Sequence, residues 1–277
     1  MREINISADL LVKSLLNLAE KNRVCLMDSC GVNHLGSHLL IAGLNPLETL
    51  EISNSKAKKT LQILEKKFTR NNLSFIFTIS YDFGLKLENI QPRPKEFRTF
   101  PEPDIFLAAF DSLFIYDYDI KKAFLTGNEE RFEEIENLLK AASKNDNNFD
   151  LEVKEKSIIS SNFTPQSYIS TIKKVKEYIQ HGDTYQTNLT RQIRAKLAED
   201  LTPERIFWRL RKNHPAPFAA FIKRENDTVV SISPERFFKA GSGIISTSPI
   251  KGTRPRGKTV EEDLRLKNEL LNSEKEH

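Results

Sequence analysis

The sequence has few of the features that mark a secreted, a membrane-spanning or a nucleic-acid-binding protein. Two cysteines in 277 residues cannot build a disulfide framework, and no apolar run approaches the roughly 20 residues that span a bilayer. The 42 Lys and Arg against 38 Asp and Glu give a formal net charge of +4, which is small for a nucleic-acid binder. Glu3 and Asp9 interrupt any signal-peptide pattern. The composition predicts a globular, cytoplasmic protein that binds neither nucleic acid nor membranes.

One row of residues near the amino terminus imitates a zinc motif. Cys25, Cys30, His34 and His38 follow a C-x4-C-x3-H-x3-H pattern. A zinc finger needs about 12 residues between its two ligand pairs so that its helix can fold back. The separation between Cys30 and His34 is much shorter, and the pattern favours ordinary residues near a strand edge.

Helical and strand patterns alternate on both sides of one loop-like stretch. That stretch is "KNDNNFD" at residues 144–150, where polar and turn-forming residues cluster. Before it, apolar periodicity predicts helices that begin after Ser7, near Lys56 and near Glu130. Strands are predicted at "RVCLMDS", at "LSFIFTISYDF" and on both sides of Asp111. This first part is typical of a mixed α and β region.

The same mixture continues beyond that stretch. A helix is predicted between a Thr164 cap and Gly182. Its buried face is predicted to hold Tyr168, Ile172, Val175 and Ile179. Alternation predicts a strand over "DTYQTNLTRQI", and "APFAAFIKRENDTVVSISPERFFKAGSGIISTS" predicts an antiparallel meander. Thr259 and Glu262 form a capping box for a last helix.

These patterns predict an α+β protein in which antiparallel sheets are flanked by helices. Residues 1–148 form a first region, and residues 160–277 form a second. The second region would leave its sheet open, with edges that a folded protein normally covers. We therefore expect this region to be incomplete at its carboxyl end.

A carboxyl group and an amine are predicted to meet at the ends of the meander. Glu235 follows a Ser-Pro step between two strands, and Lys251 follows another such step after the next hairpin. Adjacent antiparallel strands bring such ends within side-chain reach. Glu235 and Lys251 are therefore candidates for a shared cleft.

The turn that contains Lys251 is rich in cations. A free lysine has a pKa near ~10.4 and becomes a nucleophile only when burial or neighbouring cations lower that value. Arg254, Arg256 and Lys258 are the expected neighbours, and the N–H groups around Gly252 and Thr253 could bind a carboxylate. On spacing alone, a solvated basic loop is the commoner structure for such a sequence.

Three motifs together resemble the chorismate-utilising enzymes. They are "IQHGDTYQTNLT", "SISPERFF" and "TSPIKGTRPRG", in this order. Upstream, "ISYDFGLKLENI" and "PDIFLAAFDSLFIYDYD" are similar to the amino-terminal part of aminodeoxychorismate and anthranilate synthase component I. The resemblance covers most of the chain and implies the α+β fold of this family.

Two residues indicate which branch of the family the sequence resembles. Anthranilate synthases usually carry alanine in the turn, whereas "PIKGT" with Lys251 is similar to the aminodeoxychorismate synthases of the para-aminobenzoate branch of folate synthesis. Gln186 stands where water-adding relatives usually carry a lysine base. The resemblance implies conversion of chorismate and ammonia to 4-amino-4-deoxychorismate.

The resemblance also implies roles for single residues. Lys251 would attack C2 of chorismate and Glu235 would act as general acid on the departing C4 hydroxyl, while Gly252 and Thr253 contact the substrate. Ammonia would come from a separate glutamine amidotransferase subunit. Mg²⁺ is expected as cofactor, with its glutamate ligands beyond His277 and none in this chain.

A tryptophan pocket is the other site that the resemblance implies. "LMDS" and "HPAPF" are similar to its two walls, with Ser29, Pro215 and Phe218 as lining residues. Asp28 departs from the glutamate of feedback-inhibited anthranilate synthases, so any tryptophan would be structural or absent. Two alternatives stay open: an anthranilate synthase component I, and a non-catalytic truncated chain that retains only partner or tryptophan binding.

Overall fold

A computed structural model describes residues 1–53, 55–70, 72–90, 102–145, 149 and 157–274. The chain divides into two compact units, one formed by Met1–Asp146 and Leu210–His277 and the other by Asn147–Arg209. The predicted division into residues 1–148 and 160–277 has no counterpart to the return of the chain to the first unit at Leu210. Within the described residues, no helix combines the length and apolar character that crossing a bilayer requires.

The elements confirm an α+β protein with antiparallel pairing. The strands are β1 Arg2–Ile4, β2 Val24–Asp28, β3 Leu39–Leu44, β4 Glu48–Ile52, β5 Ser74–Ile79, β6 Ile105–Phe110, β7 Ser112–Asp117, β8 Lys122–Gly127, β9 Ile158–Ser161, β10 Ile193–Lys196, β11 Phe218–Lys223, β12 Thr228–Ser233, β13 Lys239–Gly241 and β14 Ile244–Ser246. The helices are α1 Ala8–Ala19, α2 Ala57–Phe68, α3 Tyr81–Leu87, α4 Phe132–Ser143, α5 Pro165–His181, α6 Pro203–Asn213 and α7 Val260–Leu271.

The larger sheet of the first unit has seven antiparallel strands in the order β1-β8-β7-β3-β2-β11-β12. β11 joins it beside β2, with Phe221 opposite Leu26 and Ile222 opposite Cys25. All four side chains are buried. Because both strands are apolar on both faces, removing them from water favours this pairing across almost 200 residues of sequence.

A second sheet of the first unit, in the order β4-β6-β5, lies between two hydrophobic cores. All six residues of β6 are buried. Phe106, Ala108 and Phe110 join one core with Cys25 and Ile222. The alternate residues join the other core, whose buried members are Ile52, Leu64, Phe83, Ile105, Leu107 and Ala109. The period of two along a strand therefore explains why this segment is apolar throughout.

The helix starts predicted after Ser7, near Lys56 and near Glu130 agree with α1, α2 and α4. The short helix α3 was not predicted. Ser7 caps α1 by accepting a hydrogen bond from the Leu10 N–H at 3.3 Å. The predicted strand "LSFIFTISYDF" ends at Ile79, because Ser80 accepts from the Phe83 N–H at 3.2 Å and starts α3. An N-cap serine thus overrides the apolar run that follows it.

The second unit corrects two predictions. α5 has its Thr164 cap and a left-handed Gly182, as expected, but none of its residues is buried. The predicted buried face is wrong: Ile172 and Ile179 are exposed. The strand predicted over residues 183–193 is also wrong: only its last residue, Ile193, is in a strand, where β10 begins opposite the four-residue β9. A strand needs a paired neighbour as well as alternation.

Candidate active site

Two hairpins bring Glu235 and the backbone before Lys251 together. Glu235 follows β12, where Ser233 Oγ donates to the Glu235 carbonyl at 2.9 Å and accepts from its N–H at 3.3 Å. The chain then forms β13 and β14, joined through Ser242 and Gly243, both in the left-handed region. It returns so that the Ile250 N–H donates to Glu235 Oε1 at 3.0 Å. The carboxylate therefore lies one residue away from Lys251.

Both candidate catalytic side chains face solvent. Glu235 and Lys251 are exposed, and no ion pair joins them in the described part of the chain. One oxygen of Glu235 is occupied by the Ile250 N–H, which leaves Oε2 for a ligand. Both side chains are therefore open to a ligand from solvent.

Two of the three cations expected beside Lys251 are paired with acids. Arg254 Nε donates to Glu269 at 3.0 Å, and Arg256 binds Asp263 through two nitrogens at 2.7 and 2.6 Å. Hydrogen bonds from Arg256 and from the Gly257 N–H lower the pKa of Asp263 to about 2. Asp263 and Glu269 lie on α7, which follows the motif in the sequence. Their pairing with the two arginines therefore depends on how α7 packs against the turn.

The turn keeps free donors for an anion. Gly252 is half-buried and Thr253 is exposed. Among the described residues, no hydrogen bond uses the N–H of either one. Two adjacent N–H groups beside Lys251 suit the carboxylate of a small ligand.

A cavity of about 300 Å³ lies where β2, β3 and β11 meet. Ser29 and Phe218 line it, as predicted, but Pro215 is exposed and the proline in the wall is Pro217. Ser29 is 2% exposed, and in the described structure its Oγ has no hydrogen-bond partner.

Beside this cavity lies a buried ionic network that sequence inspection missed. Asp28, whose side chain is fully buried, accepts from Arg211 Nε at 2.6 Å and from both Tyr118 Oη and the Cys30 N–H at 2.8 Å. Arg211 also contacts Asp9 at 2.7 Å and donates to Tyr118 Oη at 3.0 Å. Burial, and then the Asp28 charge, raise the pKa of Tyr118. Tyr118 and Arg211 are 90 and 183 residues from Asp28, so no local pattern connects them.

One buried thiol, Cys25, and one half-buried thiol, Cys30, make the stability of the fold sensitive to alkaline pH. Burial raises the pKa of Cys25 from 9.0 to about 12, and burial together with Asp28 raises that of Cys30 to about 11. Because the folded pKa values are raised, the stabilisation is complete below pH 9 and is lost as the pH rises towards 11 and 12. We expect the free energy of unfolding to fall above pH 9, by about 1.4 kcal/mol per pH unit for Cys25. Urea unfolding at pH 8, 9, 10 and 11 measures this.

The matched control for this prediction is Cys25→Ala. It removes one thiol and leaves Cys30 and Tyr118 in place. The variant is expected to show a shallower loss of stability between pH 9 and 11, whatever its stability at pH 8. Equal slopes in the two proteins would contradict the assignment to Cys25.

Comparison with known proteins connects this geometry to one family. The family model described as "chorismate binding enzyme" matches residues 3–277. Aminodeoxychorismate synthase component 1 of Bacillus subtilis is 28% identical over 72% of this chain and 43% of its own length. Anthranilate synthase component 1 of Lactococcus lactis is 28% identical over the whole chain and 66% of its own length.

A solved structure shows the same fold. Anthranilate synthase component I from Streptococcus pneumoniae aligns with a TM-score of 0.64 and 19% identity, over 88% of this chain and 59% of its own. The chain therefore spans between about two fifths and two thirds of the length of these three relatives. Since the family model covers almost all of the sequence, the chain belongs to the chorismate binding enzyme family.

Proposed function

We propose that this chain is component I of an aminodeoxychorismate synthase, which converts chorismate and ammonia to 4-amino-4-deoxychorismate. The observation that carries the proposal is the Ile250 N–H hydrogen bond to Glu235, which holds a carboxyl group one residue from the Lys251 amine. An acid and a nucleophile on opposite loops suit a displacement in which one ligand is attacked and loses a hydroxyl.

The proposed reaction has two displacements. The Lys251 amine adds at C2 of chorismate, both ring double bonds shift towards C4, and the C4 hydroxyl leaves as water with a proton from Glu235. Ammonia then adds at C4, both double bonds shift back, and the bond between C2 and Lys251 breaks, which releases the Lys251 amine. The free N–H groups of Gly252 and Thr253 hold a substrate carboxylate during both steps. No net oxidation or reduction takes place.

Mg²⁺ does not fit the described residues around this turn. Glu235 accepts from the Ile250 N–H, while Asp263 and Glu269 are paired with arginines. A hard cation needs several free carboxylate or carbonyl oxygens in one place. We therefore propose that Mg²⁺ requires ligands other than these residues.

Anthranilate synthase component I is the second candidate, because a relative of that name aligns with the whole chain. It differs in chemistry, since anthranilate formation aminates C2 and releases pyruvate. A lysine that occupies C2 would block amination there, and Lys251 therefore favours the first candidate. A non-catalytic chain is a third candidate, which the cavity beside Ser29 supports as a binding site without chemistry.

Product analysis of the protein as its host makes it separates these candidates. We expect chorismate, an ammonium salt and Mg²⁺ to yield 4-amino-4-deoxychorismate, detected by mass spectrometry, without pyruvate. Fluorescent anthranilate with one equivalent of pyruvate would establish the second candidate. Absence of chorismate consumption, in protein shown to be folded, would establish the third.

The source of ammonia is tested in the same assay. We propose that a separate glutamine amidotransferase subunit supplies it. Glutamine alone should then support no turnover until that subunit is added, whereas ammonium salt supports turnover directly. Turnover with glutamine and the isolated chain would contradict this partner.

A further inference from the structure

We propose that His38, Asp117 and Asp119 form a site for a divalent transition metal, with Zn²⁺ as the ion that the donor set suits best. One donor atom of each residue lies within 4.8 Å of the others. None of the three residues belongs to the Glu235 and Lys251 loops or to the proposed catalytic residues, although His38 also lines the cavity beside Ser29. The site is therefore a property of the amino-terminal part of the first unit.

The tautomer of His38 leaves a metal-binding nitrogen free. Its Nδ1 lies 2.9 Å from the Gly36 carbonyl oxygen, which can only accept. Nδ1 must therefore carry the proton, and in the neutral ring Nε2 holds the lone pair. A backbone carbonyl on the far nitrogen is the usual device that orients a metal-binding imidazole.

The Asp117 carboxylate is oriented with one oxygen towards His38 Nε2. Its Oδ1 accepts from the Asp119 N–H at 2.9 Å and from the Ile120 N–H at 3.4 Å. Its Oδ2 lies 3.8 Å from His38 Nε2. One oxygen thus fixes the carboxylate to the turn between β7 and β8, and the other faces the imidazole.

The distance between these two atoms suits a shared ion better than a hydrogen bond. At 3.8 Å the His38 and Asp117 atoms are too far apart for a hydrogen bond, which requires about 2.7–3.2 Å. Two ligands at about 2.0–2.1 Å from a tetrahedral Zn²⁺ lie about 3.3 Å apart. A contraction of about half an ångström brings these two atoms to that separation. Asp119, whose donor atom lies within 4.8 Å of the other two, completes the site by a further side-chain movement.

The sheet holds the ligands in place. The Tyr118 N–H donates to the His38 carbonyl at 2.9 Å, and Leu39 of β3 lies opposite Asp117 of β7. Asp119 follows in the turn that leads into β8. Backbone pairing thus fixes two of the three ligands, and the exposed Asp119 can adjust.

The donor types select the metal. One imidazole with two carboxylates suits Zn²⁺, Co²⁺ or Mn²⁺, whereas Mg²⁺ and Ca²⁺ prefer oxygen ligands alone. The trio also accounts for part of the zinc-like sequence row. His38 belongs to the cluster, but Cys25, Cys30 and His34 do not, since the described residues show no second group of three ligands.

Isothermal titration with Zn²⁺ tests the site in the whole chain. We expect one site with a dissociation constant in the micromolar range. His38→Asn keeps a donor for the Gly36 carbonyl but removes Nε2, and Asp117→Asn keeps Oδ1 for the turn but removes the charge. Each should weaken Zn²⁺ binding at least about tenfold, while circular dichroism without metal stays unchanged.

His214→Ala is the matched control, because it removes an exposed histidine that lies outside the trio. It should leave the affinity for Zn²⁺ unchanged. Visible absorption of Co²⁺ in the wild type, lost in His38→Asn, is the second expected result. Equal Zn²⁺ affinity in wild type and folded His38→Asn, or no binding by the wild type at 100-fold above the expected dissociation constant, would overturn the proposal.

Discussion

Lys251→Ala is expected to slow formation of 4-amino-4-deoxychorismate by at least about a thousandfold, because removal of a covalent nucleophile removes the intermediate itself. Substrate binding should change little, since the Gly252 and Thr253 N–H groups remain. The loss is therefore expected in kcat, with KM for chorismate nearly unchanged. Steady-state kinetics of the protein as its host makes it, with ammonium salt as nitrogen source, measures both constants.

Two variants distinguish the nucleophilic role of Lys251 from the effect of its positive charge. Lys251→Arg keeps a cation in the turn but places there a guanidinium that stays protonated. It should be about as slow as Lys251→Ala. Lys258→Ala removes a neighbouring cation from the same motif and should keep kcat within about threefold of the wild type, because exposed charges act weakly. Near wild-type rates in Lys251→Ala would refute the nucleophilic role.

Asp28→Ala is expected to lower the free energy of unfolding by about 3–5 kcal/mol, because it leaves the Arg211 guanidinium in the protein interior without its main partner. Arg211 is 8% exposed, and Asp28 accepts a hydrogen bond from it at 2.6 Å. The Tyr118 hydroxyl and the Cys30 N–H lose the same acceptor. Urea unfolding at pH 7 measures the difference.

Asp9→Ala is the control, since Asp9 contacts the same guanidinium at 2.7 Å from a side chain that is 71% exposed. Solvent screens that pair, and we expect a loss of only about 0–1 kcal/mol. If Asp28→Ala is no more destabilising than Asp9→Ala, burial of the network does not govern its energetics. The double variant Asp28→Leu with Arg211→Met should regain part of the lost stability, because it removes both charges.

The local elements of the fold could largely be predicted from local chemistry. Ser7 and Thr164 cap helices where predicted, and Gly182 ends α5 in the left-handed region. Prediction failed where a short-range signal was overlooked, as at Ser80, or where apolar periodicity was taken as burial, as in α5. A periodic face shows which side chains would be buried against a neighbour, but whether that neighbour exists is decided elsewhere in the chain.

The candidate site likewise has one feature that local spacing predicted and one that depends on distant residues. Spacing along the meander predicted that Glu235 would come close to Lys251, and the Ile250 hydrogen bond places it there. The charge around Lys251 could not be predicted from the motif, since Arg254 and Arg256 find their partners on α7. Their electrostatic effect depends on distances of a few ångströms, which sequence separation does not determine.

The sequence by itself determined the family, the α+β class, most helix caps and the two loops that carry Glu235 and Lys251, because these depend on residue types within short windows. Only the tertiary structure decided the pairing of β11 with β2, the buried network of Asp28 and the trio around His38. These arrangements join residues far apart along the chain. They form because burying apolar strands fixes which distant side chains meet, and local propensity carries no information about that choice.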